Sequence, residues 1–417
     1  MSGNPSGGDP RPYDLIVIGG GMVGAAVAAA LAPTPLRVAV VEARPPEGQP
    51  ARDGRRVSAL TAGSVRILRA LGVWEQVRGG DTESIQGMVV WDGDHAGTIA
   101  FSAEEVGLES LGAMAPNAAI AGALQTATAE AEKVDWYCPA EWTALERGGD
   151  RAVLTLTVDG EPRCLSAPLV VGADGRDSAL RAEAGIPTVG WSYGQSAVVA
   201  EIHPERPHRG RAFQRFLRGG PVALLPLSEG RSSLVWSVPR ARAEGLLDLD
   251  DDAFADRLQR AFGPELGRLT VGGPRGAFPL RLEHAKRYVD RRVALVGDAA
   301  HAVHPLAGLG LNLGLRDAAQ LAEVLAEAHL AGEDLGGEAV LGRYQRARRP
   351  DNWLVSAYTD GFHRLFANDS RVLGDLRSLG LGLVDRSGPL KKLLMRQGMG
   401  VLGAPNRLAR GKPLGAG

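Results

Sequence analysis

The 417-residue sequence predicts an α/β protein, with a Rossmann-like nucleotide-binding domain interrupted by an inserted β-sheet domain and followed by C-terminal helices. Three observations predict it. An apolar strand, Tyr13 to Ile18, runs through a glycine cluster into an alanine-rich helix, Met22 to Leu31. A second strand, Arg37 to Glu42, follows at once and ends in an acid. Far downstream, Arg292 to Val296 is again a buried strand, and its glycine-rich continuation again enters a helix, Leu311 to His329.

Composition narrows the class. With 44% hydrophobic and 23% charged residues the chain has enough apolar material for a substantial core. A net charge of -1 offers no basic excess for displacing phosphate counterions, so nucleic acid is excluded as a partner. Only Cys138 and Cys164 occur and no ligand set has metal spacing, so no metal is expected and a reduced, cytoplasmic setting fits. The uncharged run Leu15 to Ala32 is long enough to imitate a membrane helix. Its four glycines and the strand that follows assign it instead to a strand–turn–helix unit.

The remaining elements follow in order. Residues 1–12 form a flexible arm, and Pro45 to Gly54 a polar loop. Ser58 to Leu71 reads as a helix closed by Gly72. Gly87 to Phe101 is strand-like, Pro116 to Ala131 helical, and Ala152 to Val158 and Leu165 to Gly172 are strands. Ile186 to Leu282 is mostly strand, including Ala197 to Ile202, Val222 to Pro226 and Leu234 to Val238, with one helix near Asp251 to Phe262. Beyond Arg343 the chain is helical, with a break at Pro350 and a loose tail from Gly403. The expected partition is a discontinuous nucleotide domain (13–80, 112–185, 286–350), a substrate domain (81–111, 186–285) and a C-terminal region (351–417).

The chemistry begins at Gly19-Gly20-Gly21-Met22-Val23-Gly24. The first glycine permits the tight turn, Gly21 lets a pyrophosphate approach the backbone, and Gly24 lets helix and strand pack closely. The phosphates then meet the free N–H groups at the helix start. A GxGxxG alone is weak evidence, since Gly398 to Gly403 matches it without a preceding strand. Glu42 adds weight, because a carboxylate there accepts hydrogen bonds from a ribose 2′-hydroxyl and repels a 2′-phosphate. FAD and NAD both satisfy this much. The segment Ala294 to His301, with Gly297-Asp298, followed by Pro305 to Gly314, favours FAD. Asp298 can hold a ribityl chain, and Gly308, Gly310, Leu311 and Asn312 can turn backbone N–H groups toward a flavin oxygen that gains charge on reduction.

Together with Arg56-Val57-Ser58-Ala59-Leu60, Leu71-Gly72-Val73-Trp74, Gly172-Ala173-Asp174-Gly175 and Val235-Trp236-Ser237, these motifs resemble the FAD-dependent hydroxylases of ubiquinone biosynthesis, within the single-component aromatic monooxygenases. The likeness runs from about residue 13 to about 350. It implies a glutathione-reductase-type FAD domain and hydroxylation of a polyprenyl phenol ring by O2 and NAD(P)H, or another electron donor, through a flavin C4a-hydroperoxide. It also implies that Arg56 reaches the flavin or its phosphates and that Asp174 serves the pyrophosphate and the visiting NAD(P)H. The family's usual Gln is replaced by Leu309, and the Arg or Gln often found around Ile120 and Ala121 is missing, which bears on substrate and leaves backbone contacts intact.

His304 and Pro305 are the candidate catalytic positions, with His301 nearby; a hydrogen-bonded structural role competes for each histidine. Trp91, Phe216, Trp236 and Phe278, with Leu309, are candidates for the ring pocket. A halogenase or prenyl reductase of the same fold, or a non-enzymatic FAD-fold carrier of prenylated partners, are the rival readings; the Trp-x-Trp-x-Ile-Pro signature of halogenases is absent. Residues 389–402 carry Leu390, Leu393, Leu394, Val401 and Leu402 on one helical face, with Lys391, Lys392 and Arg396 around it. That pattern fits peripheral contact with the inner membrane face, where other ubiquinone-biosynthesis proteins are potential partners; Gly398 and Gly400 weaken it, and packing of a terminal helix onto the body is the competing reading.

Overall fold

The computed structural model describes residues 11–45, 56–93, 97–302, 309–366, 387–401 and 406–415. Its central sheet has six strands, in the order Val289–Asp290, Val293–Leu295, Leu169–Gly172, Leu15–Ile18, Val38–Val41 and Val134–Tyr137. All neighbours pair in parallel except the first two. These strands are short and almost uniformly apolar because helices cover them, among them Met22–Leu31, which packs on Asn117–Ala129 and Leu309–Leu330. Leu15–Ile18 is therefore a buried strand and Met22–Leu31 a buried helix of a parallel sheet.

A second sheet has nine strands among the described residues. Its path runs His301–Ala302, Gly276–Ala285, Thr188–Pro204, Ser232–Pro239, Val222–Pro226, Arg211–Phe216, Gly87–Asp92 and Thr98–Ser102, with Leu269–Val271 pairing off Thr188–Pro204. Its alternation places Val198, Leu224, Leu234, Trp236 and Val238 under the helices Arg240–Leu247 and Asp251–Phe262. The opposite face looks back toward the nucleotide sheet. Val57–Thr61, Gly112–Pro116 and Glu83–Ile85 form a small sheet at the junction.

Five local expectations are corrected. Arg11–Pro12, expected in the flexible arm, is a strand paired in parallel with Leu165 and Ser166, while residues 1–10 lie outside the described residues. Ser58 does not begin a helix: Val57–Thr61 is a strand held by Gly112–Pro116, a distant partner that overrides local propensity. Thr61 then caps Ala62–Ala70 by accepting from Ser64 N at 3.4 Å. Leu165 to Gly172 is two strands in different sheets, Glu161–Ala167 and Leu169–Gly172, split at Pro168. Pro350 lies inside the helix Glu338–Phe366, where ion pairs from Arg348 and Asp351, on either side of it, tie the turns to Leu309–Leu330. The end of the chain is not loose at 406–415: Leu408, Ala409 and Leu414 are buried, and Arg407 donates its N–H to Glu323 at 2.9 Å.

Candidate active site

The glycine cluster sits at the carboxyl end of the central strands, the usual ligand side of an open parallel sheet. Gly19 has φ +99°, and a Cβ there would lie 2.4 Å from Ala173 O. A Cβ on Gly24 would fall directly on Gly19 O. These two glycines are demanded by packing. Gly21 differs: a Cβ there meets nothing within 4 Å, so its glycine leaves room for something outside the protein. Glu42 stands beside this opening, accepting from Gly20 N at 2.6 Å and Arg44 N at 2.9 Å. Asp174 accepts from Leu180 N at 3.1 Å, while its Oδ1 is buried with no hydrogen-bond partner.

Asp298 lies on a short turn, Gly297–Ala299, that follows the strand Val293–Leu295. Its side chain is exposed, yet the surrounding protein desolvates the carboxyl and pushes its pKa up, against the pull of His301 and Arg176. The open space at Gly21, the unpartnered Oδ1 of Asp174 and the exposed carboxyl of Asp298 fit a dinucleotide laid across the strand ends.

Behind that turn is a polar network in which His301 takes the hydrogen-bonded structural role that competed with catalysis, while Asp317, Arg348 and Asn352 were not anticipated. Asp317, fully buried, accepts from Gly297 N at 3.1 Å and pairs with His301 Nε2 at 2.5 Å through Oδ2. Its Oδ1 accepts from Arg348 Nε at 2.8 Å and Asn352 Nδ2 at 3.0 Å. Burial alone would raise the Asp317 pKa; the charges of His301 and Arg348 reverse this and hold it well below the carboxylate range. A signal was available: Asp317, Leu321 and Leu325 are spaced by four on one helical stripe, so the acid interrupts a core face.

Asn312 is also buried. Its Oδ1 accepts from Thr61 N at 2.7 Å and its Nδ2 donates to Ala59 O at 2.7 Å, so the side chain ties the strand Val57–Thr61 to the helix Leu309–Leu330. His304, Pro305 and Gly308 lie outside the described residues.

A cavity of about 970 Å³ opens between the small sheet and the inner face of the large one. Arg56, Arg176, Phe278 and Leu309 line it near the nucleotide loops, and Ala197, Val199, Ala223, Val235 and Ser237 supply the sheet wall. The Arg56 guanidinium stands 4.7 Å from the Phe278 ring centroid, and Phe278 is 39% exposed. The other aromatic candidates are corrected. Strand parity sends Trp236 to the far side of the sheet, against Phe254, while Val235 and Ser237 face the cavity. Trp91 packs on Phe213 and Phe262 on that far side. Phe216 is enclosed by Val90 and Ile99 in a separate small cluster.

Comparison with known proteins gives one answer. Residues 12–359 match the family model described as FAD binding domain. The chain is 42% identical over 418 residues to ubiquinone hydroxylase UbiL of Rhodospirillum rubrum, covering 99% of this chain and 96% of that protein. It is 37% identical to the 3-demethoxyubiquinol 3-hydroxylase of Escherichia coli, covering 94% and 99%. In fold it is similar to the crystal structure of p-nitrophenol 4-monooxygenase PnpA from Pseudomonas putida, with TM-score 0.75, 17% identity and coverage of 92% and 97%.

Proposed function

Because the chain belongs to the FAD-dependent hydroxylases of ubiquinone biosynthesis, we propose that its substrate is a polyprenyl phenol, hydroxylated on the ring at the cavity between the two sheets. Bound FAD supplies electron transfer from NAD(P)H and the activation of O2. The chain contributes placement. Gly19 and Gly24 shape the turn at which Gly21 and Glu42 meet the adenosine diphosphate half, Asp174 serves the pyrophosphate side, and Asp298 holds the ribityl chain. Arg56 and the backbone of Gly310 to Asn312 face the ring system. The apolar wall of Ala197, Val199, Ala223 and Val235 keeps water from the reacting ring.

The observation that carries this reading is the cavity itself. It starts beside Arg56 and Leu309, extends over an apolar sheet face, and lies near the top of the roughly 300–1,000 Å³ range of small-molecule pockets. FAD-loaded protein supplied with NAD(P)H and a polyprenyl phenol should consume O2 and yield a product heavier by one oxygen atom. Binding without O2 consumption supports the carrier reading, and NAD(P)H oxidation without oxygen in the product supports a reductase; either result overturns the proposal.

The same reading puts the enzyme at a membrane surface. Among the described residues no helix is long and apolar enough to cross a membrane. The helix Gly388–Gly398 instead exposes Leu393 (52%) and Leu394 (46%), flanked by exposed Lys392 and Arg396, as an interfacial helix does. Lys391, expected among the basic positions, is buried and pairs with Glu105 at 3.0 Å. The Leu390 side chain and Leu402 lie outside what the structure describes. Liposome co-sedimentation should drop when Leu393 and Leu394 are both changed to Glu; equal binding at low and moderate salt rules this surface out.

A further inference from the structure

The cavity lining is of two chemical kinds. Arg56, Asn117, Arg176 and Phe278 are polar or aromatic. Ile85, Met88, Leu111 and Met399 belong to one apolar cluster with Met395, and Met114 lines the same cavity. Three of the six methionines in the sequence thus face this one space, and Met395 backs them. Methionine is unbranched and adaptable, suited to a long flexible hydrocarbon and poorly suited to orienting a small rigid ring.

The C-terminal segment builds part of that apolar lining. Gly63 donates its N–H to Met399 O at 2.9 Å, and a Cβ on Gly63 would lie 2.6 Å from Gly400 O, so the two backbones touch. Met395 and Lys391 face the body, while Gly398 both lines the cavity and is exposed, which puts an opening there. One turn earlier, Leu393 and Leu394 face outward.

We infer that Met88, Met114 and Met399, with Ile85 and Leu111, form the subsite for the substrate's prenyl chain, and that the chain leaves the cavity at Gly398 beside the membrane-facing leucines. The inference rests on the polyprenyl reading above. It gives the C-terminal helix two tasks, contact with lipid on one face and closure of the chain subsite on the other. A chain entering from the bilayer then passes from lipid to methionine without crossing water.

The test uses FAD-loaded full-length protein and two ring-matched phenols, one carrying a long prenyl chain and one without it. Met88→Trp and Met399→Trp should each raise KM for the prenylated phenol by roughly tenfold or more, the scale at which a hydrophobic pocket discriminates. The chainless phenol should keep its KM and kcat, and flavin content should match wild type, which excludes misfolding. Met399→Gln, equal in length and polar, should weaken the prenylated phenol selectively without filling the space. A wild-type preference for the prenylated phenol that survives all three substitutions overturns the inference alone. A wild-type protein indifferent to the chain overturns the polyprenyl reading along with it.

Discussion

Asp317 and His301 lie 2.5 Å apart, both wholly buried, and the same carboxylate oxygen receives the N–H of Gly297. One acid on the helix Leu309–Leu330 therefore clamps both ends of the turn that carries Asp298. Arg348 and Asn352, from the next helix, hold the other carboxylate oxygen. Replacing Asp317 by Ala breaks the fully buried pair with Arg348 and leaves that guanidinium only Asp351, which it shares with Arg316; breaking a buried pair typically costs up to about 3–5 kcal/mol. Urea unfolding should show that loss, with reduced flavin retention; an unchanged midpoint would mean the network does not support the turn.

His284 predicts an acid limit on stability. It is stacked on Trp353 with ring centroids 4.4 Å apart, its Nε2 accepts from the Tyr288 hydroxyl at 3.0 Å, and its Nδ1 donates to Ala285 O at 3.2 Å. Burial, helped by the nearby charges of His301 and Arg349, lowers its pKa to about 4. An unfolded histidine titrates near ~6.5, so the unfolded chain binds the extra proton first. The stabilisation is complete above that value and is lost as pH falls toward 4, by roughly 3 kcal/mol in all. His284→Gln should flatten the stability curve between these limits; a slope equal to wild type would assign it to other groups.

The two kinds of glycine in the first turn should separate experimentally. Gly21→Val adds a side chain into open space, so the chain should fold with near-native circular dichroism and lose its flavin. Gly24→Val drives a side chain onto Gly19 O and should prevent folding. Flavin content and thermal melts of both variants decide it, and normal flavin content in Gly21→Val would place the pyrophosphate elsewhere.

Asp298→Ala removes the exposed carboxyl without touching the Asp317 clamp. Charge-assisted hydrogen bonds of about 1.5–3 kcal/mol correspond to a loss of FAD affinity of roughly tenfold to a hundredfold. Titration of the apoprotein with FAD measures it directly, and unchanged affinity takes Asp298 out of the site.

The sequence by itself determined the nucleotide half of this protein. Gly19, Gly21, Gly24 and Glu42 lie within one strand–turn–helix–strand unit, so local spacing carries their geometry, and Asp298 closes an apolar strand in the same recognisable way. Long-range pairing decided the rest. Val57–Thr61 is a strand because Gly112–Pro116 lies beside it, and only its register turns Ala59 and Thr61 to Asn312. Whether Trp236 or Val235 meets the cavity depends on strand parity relative to a face that is defined only once the two sheets pack. The Asp317 clamp draws on residues from the turn at 297–301 and two later helices, and Met88, Met114 and Met399 come from three separate elements. The spacing of Asp317, Leu321 and Leu325 marks the acid as inward-facing, but neither its partners nor the methionine set has a spacing to read, because burial and contact between distant segments belong to the assembled core.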